Sequence, residues 1–246
     1  MVTLPPGNPM WRMQLYQFRH SAFCEKVRLV LASKGLDYSV VEVTPGLGQL
    51  QLFRLSGQRQ VPVLVDDTEV IADSSAIAQH LERHHPLPAL LPADPAQRAR
   101  VLLLEDWADT ALACGCRLAL LQAAAADPVL RSGLLPEATP APLRQLAGLT
   151  GGMGESVTGV LVQKERQQLN ANLEQLSVLT AELPYLVGEH LTLADLAVVA
   201  QLTLLRFPSS SGAPLAGRGV SGIADNPLLE PLFVWRDRIL NQLARG

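Results

Sequence analysis

Apolar and polar positions follow two periods along this chain, one extended and one helical, and they change over at a proline-rich stretch. Met13 to Phe18 is a short apolar and aromatic run that predicts a strand. Val27, Val30 and Leu31 then share a helical face before Gly35 stops the segment. Tyr38 to Val43 is β-branched and extended, and after a Gly-containing link Leu50, Phe53 and Leu55 mark a shorter helix. Val61-Pro62-Val63-Leu64-Val65, the turn residues Asp66-Asp67 and Glu69-Val70-Ile71 read as a two-strand hairpin. Ile71 leads into a helix that carries Ile77 and Leu81 and ends near His84-His85-Pro86. The order βαβ followed by ββα, over residues 11–86, predicts a four-stranded mixed sheet with helices packed on it.

Pro86 to Pro95 reads as an interdomain linker, and no strand pattern appears beyond it. Residues 96–126 predict one long helix rich in Ala and Leu, and 155–182, 192–206 and 228–243 predict three more. The fold class is therefore α/β followed by all-α, with a helical bundle over 96–246. Two Gly/Pro/Ser-rich interruptions, Asp127 to Gly154 and Pro208 to Asn226, are expected to be functional or mobile loops, the first with a short helix around Leu143 to Leu149. At Leu191-Thr192-Leu193-Ala194-Asp195-Leu196, Thr192 and Asp195 stand at the positions of a capping box, and Leu191 and Leu196 at those of a hydrophobic staple. That device specifies folding rather than chemistry, and its loss costs about 1 kcal/mol or somewhat more.

Composition narrows the function. A hydrophobic fraction of 48% can fill a core, and a net charge of −3 with 17% charged residues offers no basic surplus for nucleic acid or an anionic membrane. Met1 to Arg12 holds no signal-peptide core, and Glu105, Asp106, Asp109, Arg117 and Asp195 interrupt the later apolar segments. No membrane span is expected. The odd set Cys24, Cys114 and Cys116 fits a reducing, cytoplasmic compartment. Cys114 and Cys116 would point to nearly opposite sides of a helix, so they read as packed cysteines and no metal is expected.

Leu15-Tyr16-Gln17-Phe18-Arg19-His20-Ser21-Ala22-Phe23-Cys24-Glu25-Lys26-Val27-Arg28-Leu29 resembles the first strand, active-site loop and first helix of cytosolic glutathione transferases. Gln60-Val61-Pro62-Val63-Leu64 resembles the segment with that family's cis-proline, Ala72-Asp73-Ser74-Ser75-Ala76-Ile77 its acidic-Ser signature, and Leu191 to Ala197 its helix-capping motif. The resemblance implies a thioredoxin-like glutathione-binding domain ahead of the bundle, glutathione as co-substrate, and a homodimer. A free thiol with a pKa near roughly 8.5 is only a few per cent thiolate at neutral pH, so a hydroxyl donor at a helix N-terminus would activate it. Ser21 aligns with the catalytic Ser or Cys of several classes. On its own residues it could equally be a plain N-cap. Tyr16 is the runner-up, because other classes use a tyrosine at the end of the first strand; otherwise it is a core aromatic.

By the same resemblance Val61, preceding a cis Pro62, pairs with the cysteinyl backbone of glutathione, and Arg59 and Gln60 reach its glycyl carboxylate. Ser74 and Asp73 then take the γ-glutamyl carboxylate and ammonium. As bare residues, Pro62 fits an edge strand, and Asp73 and Ser74 fit ordinary caps. The site for a small electrophile is expected between the domains, from Phe18 and the helix around Trp107, Ala111 and Cys114, although Trp107 fits a core position equally. The implied activities are conjugation, isomerisation or peroxide reduction. A non-catalytic scaffold is the alternative. A thioltransferase or dehydroascorbate reductase is disfavoured, because position 21 is not cysteine.

Overall fold

The computed structural model describes residues 13–44, 47–135 and 159–244. They form two compact units that divide between Leu91 and Pro92.

The first unit contains β1 (Met13–Gln17), α1 (Ala22–Ser33), β2 (Ser39–Glu42), α2 (Leu47–Ser56), β3 (Val63–Asp66), β4 (Glu69–Ala72) and α3 (Ser74–His84). The sheet order is β2-β1-β3-β4, with β1 and β2 parallel and the other pairs antiparallel. This is the mixed four-stranded sheet that the apolar pattern predicts. Strand alternation sends Tyr16, Val63 and Val65 to one face, where Val43 and Leu52 of α2 complete a core. The opposite face carries Leu15 and Leu64, and the buried Val27, Leu31, Ile77 and Leu81 of the mutually packed α1 and α3 supply the other core. Each such side chain contributes about 1.5–3 kcal/mol on burial.

The proline-rich stretch is held to this unit as far as Leu91. Lys34 Nζ donates to the carbonyls of His85 (2.6 Å) and Pro88 (3.1 Å) and pairs with Glu82. Glu82 in turn accepts from the amides of Leu90 and Leu91.

The second unit contains α4 (Pro95–Trp107), α5 (Ala113–Ala126), α6 (Pro128–Gly133), α7 (Gly159–Glu182), α8 (Leu193–Leu202) and α9 (Glu230–Leu243). α8 is buried along its whole length and packs on α4, while α5 packs on α7. Gly115 makes the latter approach possible, since a Cβ there would lie 3.2 Å from Leu169 Cβ. Arg236, buried in α9, donates to the Leu202 carbonyl at 3.2 Å, placing a cation at the C-terminus of α8.

Three expectations need correction. The predicted 96–126 helix is divided by a π-helical turn, Ala108–Leu112, beside which Thr110 Oγ1 donates to the Asp106 carbonyl at 2.7 Å. The predicted 192–206 helix ends at Leu202, where 3₁₀-type bonds bring the Leu204 and Leu205 amides to Gln201 and Leu202. The segment Pro208 to Asn226 is packed rather than a free loop: Leu215, Val220 and Ile223 are buried, and Arg206 bridges to Gly219. Its apolar residues have no regular spacing, so composition alone reads it as loose.

The first interruption opens with α6. The helix expected around Leu143 to Leu149 lies outside the described residues, as do residues 155–158 of the predicted second bundle helix.

Among the described residues no helix is long and apolar enough to cross a membrane. None of their His, Cys, Asp and Glu residues form a group of three or more that could hold a metal ion.

Candidate functional site

Strand register brings three segments to one end of the sheet. Gln17 pairs with Glu42, Tyr16 with Val63, and Val63 with Ala72. The residues just past β1, just before β3 and just past β4 therefore lie at that end: Phe18 to Ser21, Arg59 to Pro62, and Asp73 with Ser74.

Ser21 is the N-cap of α1, with extended backbone, and its Oγ accepts from the Cys24 amide at 3.4 Å. Accepting uses a lone pair and not the hydroxyl proton, which lies within reach of the Cys24 thiol. The helix start adds partial positive charge beside that oxygen. Cys24 is fully buried, and burial pushes its thiol above the usual range, against hydrogen bonds from Ser21 and Phe18 and the charge of Arg28 that pull it down. A thiol so placed is a poor nucleophile.

Tyr16 packs in the core beside Leu52 at 4% exposure, and burial raises its phenol above the ordinary value. Phe18 is half-buried and meets the His20 ring edge-on at 5.9 Å.

The Val61–Pro62 peptide bond is cis, Pro62 is buried, and Arg59 and Gln60 are exposed, with the Arg59 guanidinium over the Phe53 ring. Asp73 caps α3, accepting from the amides of Ser75 (2.9 Å) and Ala76 (3.0 Å), from a backbone at φ +79°. A left-handed backbone at a residue other than Gly costs of order 1–3 kcal/mol and clusters at binding sites. Ser74, next in the chain, is buried at the first turn of α3. Trp107, half-buried, and Ala111 and Cys114, both exposed, belong to the second unit around the π turn.

Two groups of residues here escape motif reading. Lys26 is 1% exposed and its Nζ donates to Ser75 Oγ at 3.1 Å, joining α1 to the start of α3. Its signal is a lysine in the apolar stripe between Ala22 and Val30, i to i+4. Gln17 hydrogen-bonds to both Arg28 and Glu42, and Arg28 and Glu42 each bind the backbone of Arg19. Nothing in the linear spacing marks that set.

A mixed sheet in the order β2-β1-β3-β4, with a cis-proline just before β3 and helices α1 and α3 packed on one face, is the arrangement of a thioredoxin-like domain. The chain belongs to the glutathione S-transferase family: the family's N-terminal domain model matches residues 15–89 and its C-terminal domain model residues 156–215, together more than half of the chain. A maleylacetoacetate isomerase of Rattus norvegicus is 37% identical over 105 residues, which are 41% of this chain and 47% of that protein. A maleylacetoacetate isomerase of Pseudomonas aeruginosa is 40% identical over 94 residues, 36% of this chain and 44% of that protein. The chain spans about half the length of the curated relatives it matches. Among solved structures, beta-etherase LigF from Sphingobium sp. strain SYK-6 superposes with a TM-score of 0.69 at 23% identity, covering 95% of this chain and 99% of that one. That likeness is one of fold.

Proposed function

We propose that the chain is a glutathione-dependent enzyme that holds the tripeptide at the sheet end described above and ionises its thiol. The observation that carries the reading is Ser21, whose hydroxyl caps α1 at the same sheet end as Val61 and Ser74.

In this reading Val61 pairs with the cysteinyl backbone as an added strand would. Arg59 and Gln60 take the glycyl carboxylate. Ser74 at the N-terminus of α3 takes the γ-glutamyl carboxylate, and Asp73 takes the ammonium. Ser21 donates to the sulfur, the thiol proton leaves to solvent, and the sulfur lone pair forms the new bond to an electrophilic carbon.

Conjugation of small electrophiles, a detoxifying chemistry, follows when that carbon expels a leaving group or keeps the adduct. Isomerisation follows when the sulfur adds to an activated double bond, the resulting single bond rotates and the sulfur departs. The two relatives named as maleylacetoacetate isomerases favour the second outcome, and maleylacetoacetate is the first substrate to assay. Phe18, Trp107, Ala111 and Cys114 are the proposed electrophile contacts. A homodimer and a cytoplasmic location belong to the same proposal, the latter supported by the free state of Cys24, Cys114 and Cys116.

Calorimetric titration with reduced glutathione tests the reading. Millimolar or tighter binding is expected. Absence of binding would leave the scaffold alternative, which this family fold also permits.

A further inference from the structure

Ser21 is carried by irregular backbone, Phe18 to His20, between β1 and α1. Such a segment holds a hydroxyl to catalytic tolerance only when its peptide groups are tied to rigid elements. The peptide groups of Arg19 are tied on both sides. Its amide donates to Glu42 Oε1 at 2.7 Å, and its carbonyl accepts from Arg28 Nη2 at 2.9 Å.

Gln17, buried at the end of β1, closes the ring. Its Oε1 accepts from Arg28 Nη1 at 2.5 Å and its Nε2 donates to Glu42 Oε2 at 3.2 Å. Glu25 accepts from Arg28 Nε at 2.8 Å and also pairs with Nη2. All three nitrogens of the guanidinium are thus engaged by protein acceptors, and one planar fork joins α1, β1 and the loop, with Gln17 and the Arg19 amide carrying the connection on to Glu42 of β2.

We infer that Arg28, with Gln17 and Glu42, is a positioning residue that sets where the Ser21 hydroxyl and the first amides of α1 meet the substrate sulfur; this rests on the reading of Ser21 as thiolate donor. Arg28 touches no substrate in this account and acts through the Arg19 peptide. Lysine keeps the charge but lacks the fork, so it cannot replace arginine here.

The test is a double-mutant cycle on the full chain with Ser21→Ala, Arg28→Met and their combination, together with Arg28→Lys. Two quantities are read, and neither needs the natural electrophile. One is the apparent pKa of bound glutathione from its thiolate ultraviolet absorbance against pH, and the other is the glutathione Kd by calorimetry.

Arg28→Met and Arg28→Lys are each expected to raise the bound-thiol pKa by about one unit, a tenfold loss of thiolate near neutral pH. The Kd is expected to stay within about threefold. The combined variant is expected to go no higher than Ser21→Ala, because a residue acting through Ser21 adds nothing once its hydroxyl is gone. If the parent binds no glutathione, or Ser21→Ala leaves the thiol pKa unchanged, it is the Ser21 reading that fails. If Ser21→Ala raises the pKa but Arg28→Met does not, or the two effects add, or Arg28→Lys restores the parent value, the positioning role is overturned. Should Arg28→Met not fold, Glu42→Ala opens the ring from the β2 side and carries the same expectations.

Discussion

Ser21 and Asp73 each cap a helix and each have a proposed role toward glutathione, and substitutions can separate the two. Ser21→Ala removes both the cap acceptor for the Cys24 amide and the proposed sulfur donor. The cap is worth about 1 kcal/mol of stability. Losing one preorganised donor to a developing anion costs about tenfold to a thousandfold in turnover. Steady-state kinetics with an aryl halide are therefore expected to show a loss in kcat far larger than any change in the KM for glutathione. Retention of full activity by Ser21→Ala, with loss in Tyr16→Phe, would reassign the donor. For Asp73, asparagine is the informative replacement, since it caps as aspartate does and is nearly the same size without the charge. Asp73→Asn is expected to melt within a few degrees of the parent yet bind glutathione at least about tenfold more weakly, having lost a charge-assisted contact. Equal calorimetric affinity would remove Asp73 from the binding set.

At the level of elements, the capping box of α8 does more than its sequence signature implies. Asp195 is fully buried and accepts from the Thr192 amide (2.8 Å), the Thr192 hydroxyl (2.7 Å) and the Leu186 amide (2.7 Å). The last bond ties the helix start to the segment before it, and burial raises the carboxyl above its ordinary value against all three bonds. Asp195→Ala strands buried donors as well as removing a cap, so chemical denaturation is expected to report a loss of about 3 kcal/mol rather than about 1. The packed segment after α8 is equally testable. A Cβ at Gly219 would lie 2.1 Å from the Leu205 carbonyl oxygen, a backbone atom with no rotamer to yield. Gly219→Ala is expected to cost about 3 kcal/mol or more, visible as a lowered melting temperature. In the parent, the amides of Phe207 and Val220, bonded to the carbonyls of Arg218 and Leu205, are expected to exchange slowly with deuterium. Fast exchange there would restore the loose-loop reading.

For the whole molecule, the homodimer is implied by the family resemblance alone, and apolar side chains left outside either core offer places to test it. Phe53 on α2 is 44% exposed and Leu103 on α4 is 71% exposed. Covering such residues in a second copy is worth about 25 cal/mol per Å² of apolar area. Sedimentation equilibrium is expected to give twice the chain mass, and Phe53→Asp or Leu103→Asp to shift the balance toward monomer with the melting temperature little changed. A monomeric parent would end that part of the proposal.

Short-range chemistry is what the sequence determined by itself. Period-two and helical runs, turn pairs, Gly35 at a helix end and the Thr192/Asp195 box act within a few residues, so the order β1-α1-β2-α2-β3-β4-α3 and the helical second half are legible along the line. The segments at Ser21, Val61 and Asp73 are legible locally as caps and a strand-entry proline, and it is the family resemblance that marks them as candidate site segments. Tertiary structure decided what depends on register. Lys26 meets Ser75 across 49 positions and Gln17 meets Glu42 across 25, distances over which no periodicity speaks. It also sent Tyr16 into the core, placed a π turn inside a run that reads as one helix, and packed the Gly/Pro/Ser-rich stretch from Pro208 to Asn226. In each of these the outcome is set by which surface lies opposite. Burial and side-chain hydrogen bonding are properties of pairs of elements, and a chain specifies them only once those elements have met.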